Sequence, residues 1–172
     1  FVVKPVFGYR VNAFLAHAVP GDLPLFRKLR VGSALVSLAA IGLAYAACRN
    51  LWPHRPGLAL ALATVLAFHP QFAFLGAYLN ADAYTIFAVT AVWYVLTRIH
   101  RHAALQPSMA LALGIALGLV FLGRENGYAA FLLAAGYGIF LLRQQWATNG
   151  RRLALALAVF LLFPAVFYLH QY

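Results

Sequence analysis

A single carboxylate, Asp82, lies between two long apolar stretches of the chain. It is one of three acidic residues in the sequence, and His69 and Asn80 precede it in the same short segment. A carboxylate at a membrane boundary is costly to desolvate, which makes it a functional candidate. It could position an acceptor, a divalent cation or the leading catalytic base. The structural alternative is a helix N-cap, in which the carboxylate accepts backbone N–H groups and complements the helix dipole.

Arg124 and Glu125 form a second charged site between apolar runs. A guanidinium here could hold a phosphate through paired hydrogen bonds. Such a contact would stabilise a phosphate that gains negative charge when a bond to it breaks. Glu125 could serve as a general base, although Arg124 beside it favours an ordinary ionised carboxylate. The structural alternatives are a local ion pair or a short loop with Asn126-Gly127 turn chemistry.

Two further polar residues, Arg27 and His69, are candidate substrate contacts. Arg27 belongs to a basic cluster that could neutralise a phosphate, and anchoring at the membrane interface would explain that cluster equally well. His69 could bond a donor or an acceptor, but a histidine beside a helix-ending proline is more often a structural group. Both interpretations stay open for each residue.

The elements that must position these residues are membrane helices. The sequence has 172 residues and is 65% hydrophobic, more apolar surface than a soluble domain of this size can bury. We predict an all-α, polytopic bundle with about six membrane helices. The predicted helices are 31–49, 57–79, 83–99, 108–123, 126–142 and 153–170. Residues 1–30 are predicted to form an extracytoplasmic loop with an interfacial amphipathic helix, and residues 31–172 the transmembrane domain.

Local signals refine this pattern. Pro70 should end the second apolar segment, leaving 71–82 as an extracytoplasmic turn or re-entrant piece. The amphipathic helix is predicted from the near-helical spacing of Phe7, Val11, Phe14, Leu15 and Val19. Faces of small residues on the fourth and fifth segments predict close helix packing. They are formed by Gly114, Gly118, Gly123, Gly127, Gly136 and Gly138.

The formal net charge of +10 does not indicate a nucleic-acid partner. The basic residues stand in short clusters between apolar runs, whereas a nucleic-acid binder needs a basic face on a soluble scaffold. Cys48 is the only cysteine, so no intrachain disulfide can form. The sequence contains neither a glycine-rich phosphate loop nor a metal-spaced Cys/His cluster. No cofactor is predicted with certainty, and a divalent cation is left open.

The connecting loops predict the orientation of the bundle. Basic residues concentrate in every second loop: Arg49 and Arg55, then Arg98 and Arg101, then Arg143, Arg151 and Arg152. The alternate loops carry Asp82 in one case and Arg124 with Glu125 in the other. The positive-inside rule therefore places Asp82, Arg124 and Glu125 on the extracytoplasmic face, together with residues 1–30. A site there would use a lipid-linked substrate, because nucleotide-activated donors are cytoplasmic.

Three segments resemble the GT-C membrane glycosyltransferases, in particular the protein O-mannosyltransferases, the aminoarabinose transferases and related uncharacterised bacterial membrane proteins. The pattern Pro70-x5-Gly76-x5-Asp82 resembles the "Pro … Asn-x-Asp-Ala" turn of that family. Residues 25–35 are similar to the entry of its second transmembrane helix. Residues 117–127 are similar to its "lGla-x-l-x-K-x-x-G" segment, with Arg124 at the usual lysine.

The resemblance implies a glycosyltransferase fragment of the bacterial inner membrane that moves a sugar from a polyprenyl-phosphate donor to an acceptor at the extracytoplasmic face. Asp82 would be a supporting acidic residue, with Arg124, Glu125, His69, Asn80 and Arg27 contacting substrate. The family's leading acidic residue lies early in its first extracytoplasmic loop, so we expect the leading base upstream of Phe1. The alternative is a non-catalytic polytopic subunit with protein partners in a larger membrane complex. Membrane lipids are expected partners in either case.

Overall fold

The computed structural model describes residues 6–78, 81–102, 104–123, 125–144 and 146–169. Within those ranges the chain is helical, with no strand, which confirms the predicted all-α fold. The helices are α1 (Val6–Ala18), α2 (Leu25–Leu51), α3 (Pro56–Phe68), α4 (Pro70–Ala77), α5 (Ala81–His102), α6 (Pro107–Leu122), α7 (Ala129–Gln144) and α8 (Trp146–Leu169). A short 3₁₀ helix, η1 (Glu125–Tyr128), joins α6 to α7.

The N-terminal helix α1 packs on α2 and α5 through small and polar residues. Its Gly8, Asn12 and Ala16 are buried, and the Asn12 Nδ2 group donates a hydrogen bond of 3.1 Å to Ser33 Oγ on α2. Phe14 lies on the opposite side with 75% of its surface exposed. The predicted helix is therefore present, and the side that it turns to the protein is its small, polar side. Its location at the membrane interface stays a prediction.

Prolines begin three of the helices: Pro56, Pro70 and Pro107. A proline fits the first turn because the N–H that it lacks has no partner there. The residue before a proline is driven out of the helical region, and His69 accordingly has φ −65° and ψ 121°. The chain bends by 62° between α3 and α4.

The turn predicted for 71–82 is wrong for its first part, which is helical as far as Ala77, whereas the alternative of a re-entrant piece stays a prediction. Pro70 ends α3 as predicted but also starts α4, which continues to Ala77. Gly76 on α4 lies so close to α2 that a Cβ atom on it would approach Ser37 Oγ to 2.9 Å. The segment therefore lies as a short helix on α2.

The best-buried part of the molecule lies between α5, α6, α7 and α8. Its fully buried side chains include Val92 and Ile99 of α5 and Val120 of α6. α6 and α8 approach closely: a Cβ added to Gly114 would lie 2.5 Å from the Ala156 carbonyl oxygen. Close packing at Gly114 is thus confirmed.

The prediction of close packing is wrong for Gly136. A Cβ on this residue would meet no atom within 4 Å, since the glycine borders an open groove. Gly118 does behave as predicted, because a Cβ there would collide with the Phe163 ring of α8.

Two described helices are long and apolar enough to cross a membrane singly. They are Leu25–Leu51 in α2 and Thr148–Val166 in α8, and the bent pair of α3 and α4 would make a third as a broken span or a re-entrant loop. α6 and part of α7, Ala129–Phe140, are shorter apolar helices. The protein is an integral membrane protein by this pattern, and the number of six spans stays a prediction.

The bundle has two chemically different ends. One, called here the Asp82 end, contains α1, α4, η1 and the first turns of α2 and α5. The other, called the basic end, contains the last turns of α2, α5 and α7 and the loops that follow them. At the basic end Asn50 Nδ2 donates to Thr97 Oγ1 over 3.3 Å, and Arg152 Nη1 donates to the Leu105 carbonyl over 2.6 Å.

Candidate functional site

Asp82 lies in the first turn of α5. The helix begins at Ala81, one residue before Asp82, so the carboxylate is inside the first turn instead of at the cap. At this position its charge still complements the positive end of the helix dipole. The side chain is half-buried, while Ala81 and Ala83 on either side are buried.

Helix α1 covers the start of α5. A Cβ on Gly8 would lie 3.4 Å from the Ala81 Cα atom and 3.5 Å from the Tyr84 Cβ atom. Such close approach of two helices needs a small residue at the contact. Consequently α1 packs closely on the first turn of α5, the turn that carries Asp82.

Gly123 and Gly127, which stand on either side of Arg124 and Glu125 in the sequence, also pack on the first turns of α5. A Cβ on Gly123 would lie 3.0 Å from Thr85 Oγ1, and one on Gly127 would lie 3.0 Å from Thr85 Cγ2. Thr85 follows Asp82 by three residues and therefore occupies the same side of α5. The fold thus brings Gly123 and Gly127 to within one helical turn of Asp82.

The contact residue Thr85 is itself fixed by the helix. It is 6% exposed, and its hydroxyl donates a hydrogen bond of 3.2 Å to the Ala81 carbonyl. Tyr84 beside it is 5% exposed. Neither residue was predicted from the sequence, because a threonine or tyrosine in an apolar run looks like ordinary helix interior.

Arg30 is held by aromatic rings at the same end. Its guanidinium carbon lies 4.3 Å from the centroid of the Phe26 ring and 5.6 Å from that of Tyr78. Tyr78 in turn stacks on Phe74 at 5.1 Å between centroids. Cation–π contacts of this kind restrict the guanidinium while leaving its N–H groups available to an anion. The side chain is exposed.

Arg30 and Asp82 belong to the same region. Tyr78 precedes Asp82 by four residues, so their Cα atoms can be at most about 14 Å apart. Arg27, the residue singled out from sequence, is also exposed, on the first turn of α2. The four-residue spacing of Phe26 and Arg30 was visible in the sequence, whereas the contact with Tyr78 depends on the bend at His69.

His69 occupies the bend between α3 and α4. Its backbone N–H donates to the Leu66 carbonyl at 3.3 Å, and its own carbonyl accepts from the Ala73 N–H at 2.9 Å. Its side chain is exposed and makes no helix-capping hydrogen bond. The backbone geometry fits the structural interpretation, and a substrate contact stays a prediction.

Asn80 and Arg124 lie outside the described residues, and for Glu125 only the backbone is described, as the first residue of η1. Among the described residues, no cluster of three or more His, Cys, Asp or Glu side chains could hold a metal ion. The roles assigned to all of these residues remain predictions.

The similarity of the chain to known proteins identifies its family. Residues 5–168 match the family described as dolichyl-phosphate-mannose-protein mannosyltransferase. The chain belongs to this family, which is one of GT-C membrane glycosyltransferases. The predicted resemblance is thereby confirmed.

Individual relatives are similar over most of the chain. It is 35% identical over 134 residues to an undecaprenyl phosphate-alpha-4-amino-4-deoxy-L-arabinose arabinosyl transferase from Pseudomonas aeruginosa (strain UCBPP-PA14). It has the same identity over the same length to the protein of that name from Pseudomonas paraeruginosa (strain DSM 24068 / PA7). Each alignment covers 76% of this chain and 23% of the relative, so the chain spans about a quarter of their length. No solved structure matches significantly.

Proposed function

We propose that the full-length protein is a glycosyltransferase of the bacterial inner membrane. It would transfer a sugar from a polyprenyl-phosphate carrier to an acceptor at the extracytoplasmic face. One observation carries the proposal: Gly123 and Gly127 pack against Thr85, next to Asp82. The names of the two relatives, which specify undecaprenyl phosphate, support the choice of donor.

The reaction needs an acid–base group and a phosphate site close together. As the acceptor oxygen bonds to the anomeric carbon, its proton passes to a carboxylate and the bond from that carbon to the phosphate oxygen breaks. The leaving phosphate gains negative charge, and nearby cations stabilise it. Arg124 would bind this phosphate, with Arg30 as a second cation held ready by Phe26 and Tyr78.

Asp82 has a supporting role in this proposal. Its place in the first turn of α5, between α1 and the 123–127 segment, suits a carboxylate that orients the acceptor or the leading base. We propose that the leading base belongs to the part of the full-length protein outside this chain, as the family resemblance implies. A divalent cation bound by Asp82 would be an alternative way to orient the acceptor.

Donor binding gives the test of this proposal. In the full-length protein, Arg124→Gln should raise the KM for an undecaprenyl-phosphate-linked sugar about ten-fold or more, because a hydrogen bond to a charged group is lost. Arg55→Gln, a matched change in an exposed loop at the basic end, should leave transfer unchanged. Equal donor KM values for Arg124→Gln and the parent protein would exclude the phosphate role. A parent protein that transfers no sugar from any such donor would favour the non-catalytic subunit.

The side of the membrane can be tested separately. Cys48, the chain's only cysteine, is buried, and a cysteine-free background allows single cysteines to be introduced at exposed Asp22 or His54. A membrane-impermeant maleimide should label Asp22→Cys in intact spheroplasts and His54→Cys only after permeabilisation. The reverse pattern would place the Asp82 end in the cytoplasm and would contradict the proposed face.

A further inference from the structure

A groove lies between α5 and α7 at the basic end of the bundle, far from Asp82. Its volume is about 480 Å³, within the range of small-molecule sites. Its walls are almost entirely apolar and include Leu51, Trp93, Thr97, His100, Gly136 and Tyr137. Trp93 is 46% exposed, so the groove opens sideways from the bundle.

The helical register places a positive charge at the end of each wall. On α5 the groove residue Thr97 is followed four positions later by Arg101, and on α7 the groove residue Phe140 is followed three positions later by Arg143. Residues three or four apart share one side of a helix, so both arginines continue the groove faces. Both are exposed.

The groove therefore combines an apolar channel along α5 and α7 with cations at its end. His100 adds a third polar group there, with its ring edge-on to Tyr137 at 6.4 Å between centroids. In the described residues around this end, the ionisable groups in the last turns of α5 are all basic: Arg98, His100, Arg101 and His102. An uncharged ligand would form no ion pair with these basic side chains, whereas an anionic ligand would.

We propose that an anionic diacyl phospholipid binds in this groove. An acyl chain would lie along Trp93, Leu96 and Gly136, and the headgroup phosphate would lie between Arg101 and Arg143. Basic pockets between membrane helices on the cytoplasmic side are suited to such headgroups. The site is independent of the proposed transfer reaction, because it lies at the opposite end of the bundle from Asp82.

Glycine substitutions test whether the lipid occupies the groove. Gly136→Leu should place its side chain in the channel, since a Cβ there meets no atom within 4 Å. Gly42→Leu is the matched control, because that glycine on α2 also has open space around it. In native mass spectrometry of the full-length protein, phosphatidylglycerol should be retained by the parent and by Gly42→Leu but lost from Gly136→Leu.

Substitutions of the two arginines test whether the groove prefers an anionic lipid to a zwitterionic one. Arg101→Gln and Arg143→Gln should each lower phosphatidylglycerol retention about five-fold, with no change in retention of phosphatidylcholine. Equal retention of the two lipids by the parent protein would overturn the proposal. So would unchanged phosphatidylglycerol retention in Gly136→Leu. Stronger retention of undecaprenyl phosphate than of phosphatidylglycerol, abolished by Gly136→Leu, would replace the phospholipid with the carrier lipid.

Discussion

The contact between Gly127 and Thr85 permits a sharp test of how the Asp82 end is built. In Gly127→Ala the new Cβ atom would lie 3.0 Å from Thr85 Cγ2 and 3.2 Å from Val120 Cγ1. Both neighbours belong to stiff β-branched side chains, so η1 must move away from α5. Overpacking of this kind costs about 1–3 kcal/mol, and a displacement of about 1 Å at a reacting centre can lower the rate about 10²-fold.

Thr85→Ser provides the matched rescue. It removes the Cγ2 atom that the new methyl group would meet, and it keeps the hydroxyl that donates to the Ala81 carbonyl. Alone it should cost about 0.5–1.5 kcal/mol, as expected for a deleted buried methyl group. In the double variant the methyl group that Gly127→Ala adds occupies the space that Thr85→Ser leaves, and the close contact with Cγ2 is absent. The double variant should therefore lose less free energy of unfolding than the sum of the two single losses.

The assay combines thermal unfolding of the purified full-length protein with its rate of sugar transfer. We expect Gly127→Ala to lower both quantities and the double variant to recover most of each. Additive effects, within about 0.5 kcal/mol, would mean that the two residues do not interact. That result would refute the placement of the 123–127 segment on α5.

Two further predictions concern packing and the phosphate site. Gly114→Ala should destabilise the protein by about 1–3 kcal/mol, because its Cβ would lie 2.5 Å from a backbone carbonyl oxygen of α8. Unfolding measurements should show no such loss for the control Gly42→Ala. Arg30→Gln should raise the donor KM more than Arg27→Gln does, because Arg30 is the arginine held against Phe26 and Tyr78. Equal effects of the two substitutions in steady-state assays would contradict a special role for Arg30.

The sequence was sufficient to predict the helical fold because its signals are local. Apolar runs and the prolines at 56, 70 and 107 define where helices lie and begin. The bend at His69 was partly predictable, since Pro70 had to interrupt a helix. That the same proline also starts α4 was missed, because a proline is unfavourable inside a helix and favourable in its first turn.

For the candidate site, the sequence predicted only which loops lie at the same end of the bundle. The alternation of basic loops placed Asp82 and Arg124 at one end of the bundle, and the packing of Gly123 on Thr85 agrees with that grouping. The contact between Arg30 and Tyr78 was not predictable, because it joins residues that are distant in sequence. The buried hydrogen bond between Asn12 and Ser33 was missed for the same reason.

The rate of sugar transfer by Asp82→Asn tests the central claim most directly. This substitution preserves the size of the side chain and removes its charge, and Asp22→Asn makes the same change in an exposed turn before α2. If the Asp82 end is the active face, Asp82→Asn should lower transfer by the full-length protein about ten-fold or more, as expected when a charge-assisted hydrogen bond is lost. Asp22→Asn should then transfer at the parent rate. Equal rates for Asp82→Asn and Asp22→Asn, with both proteins folded, would contradict the account.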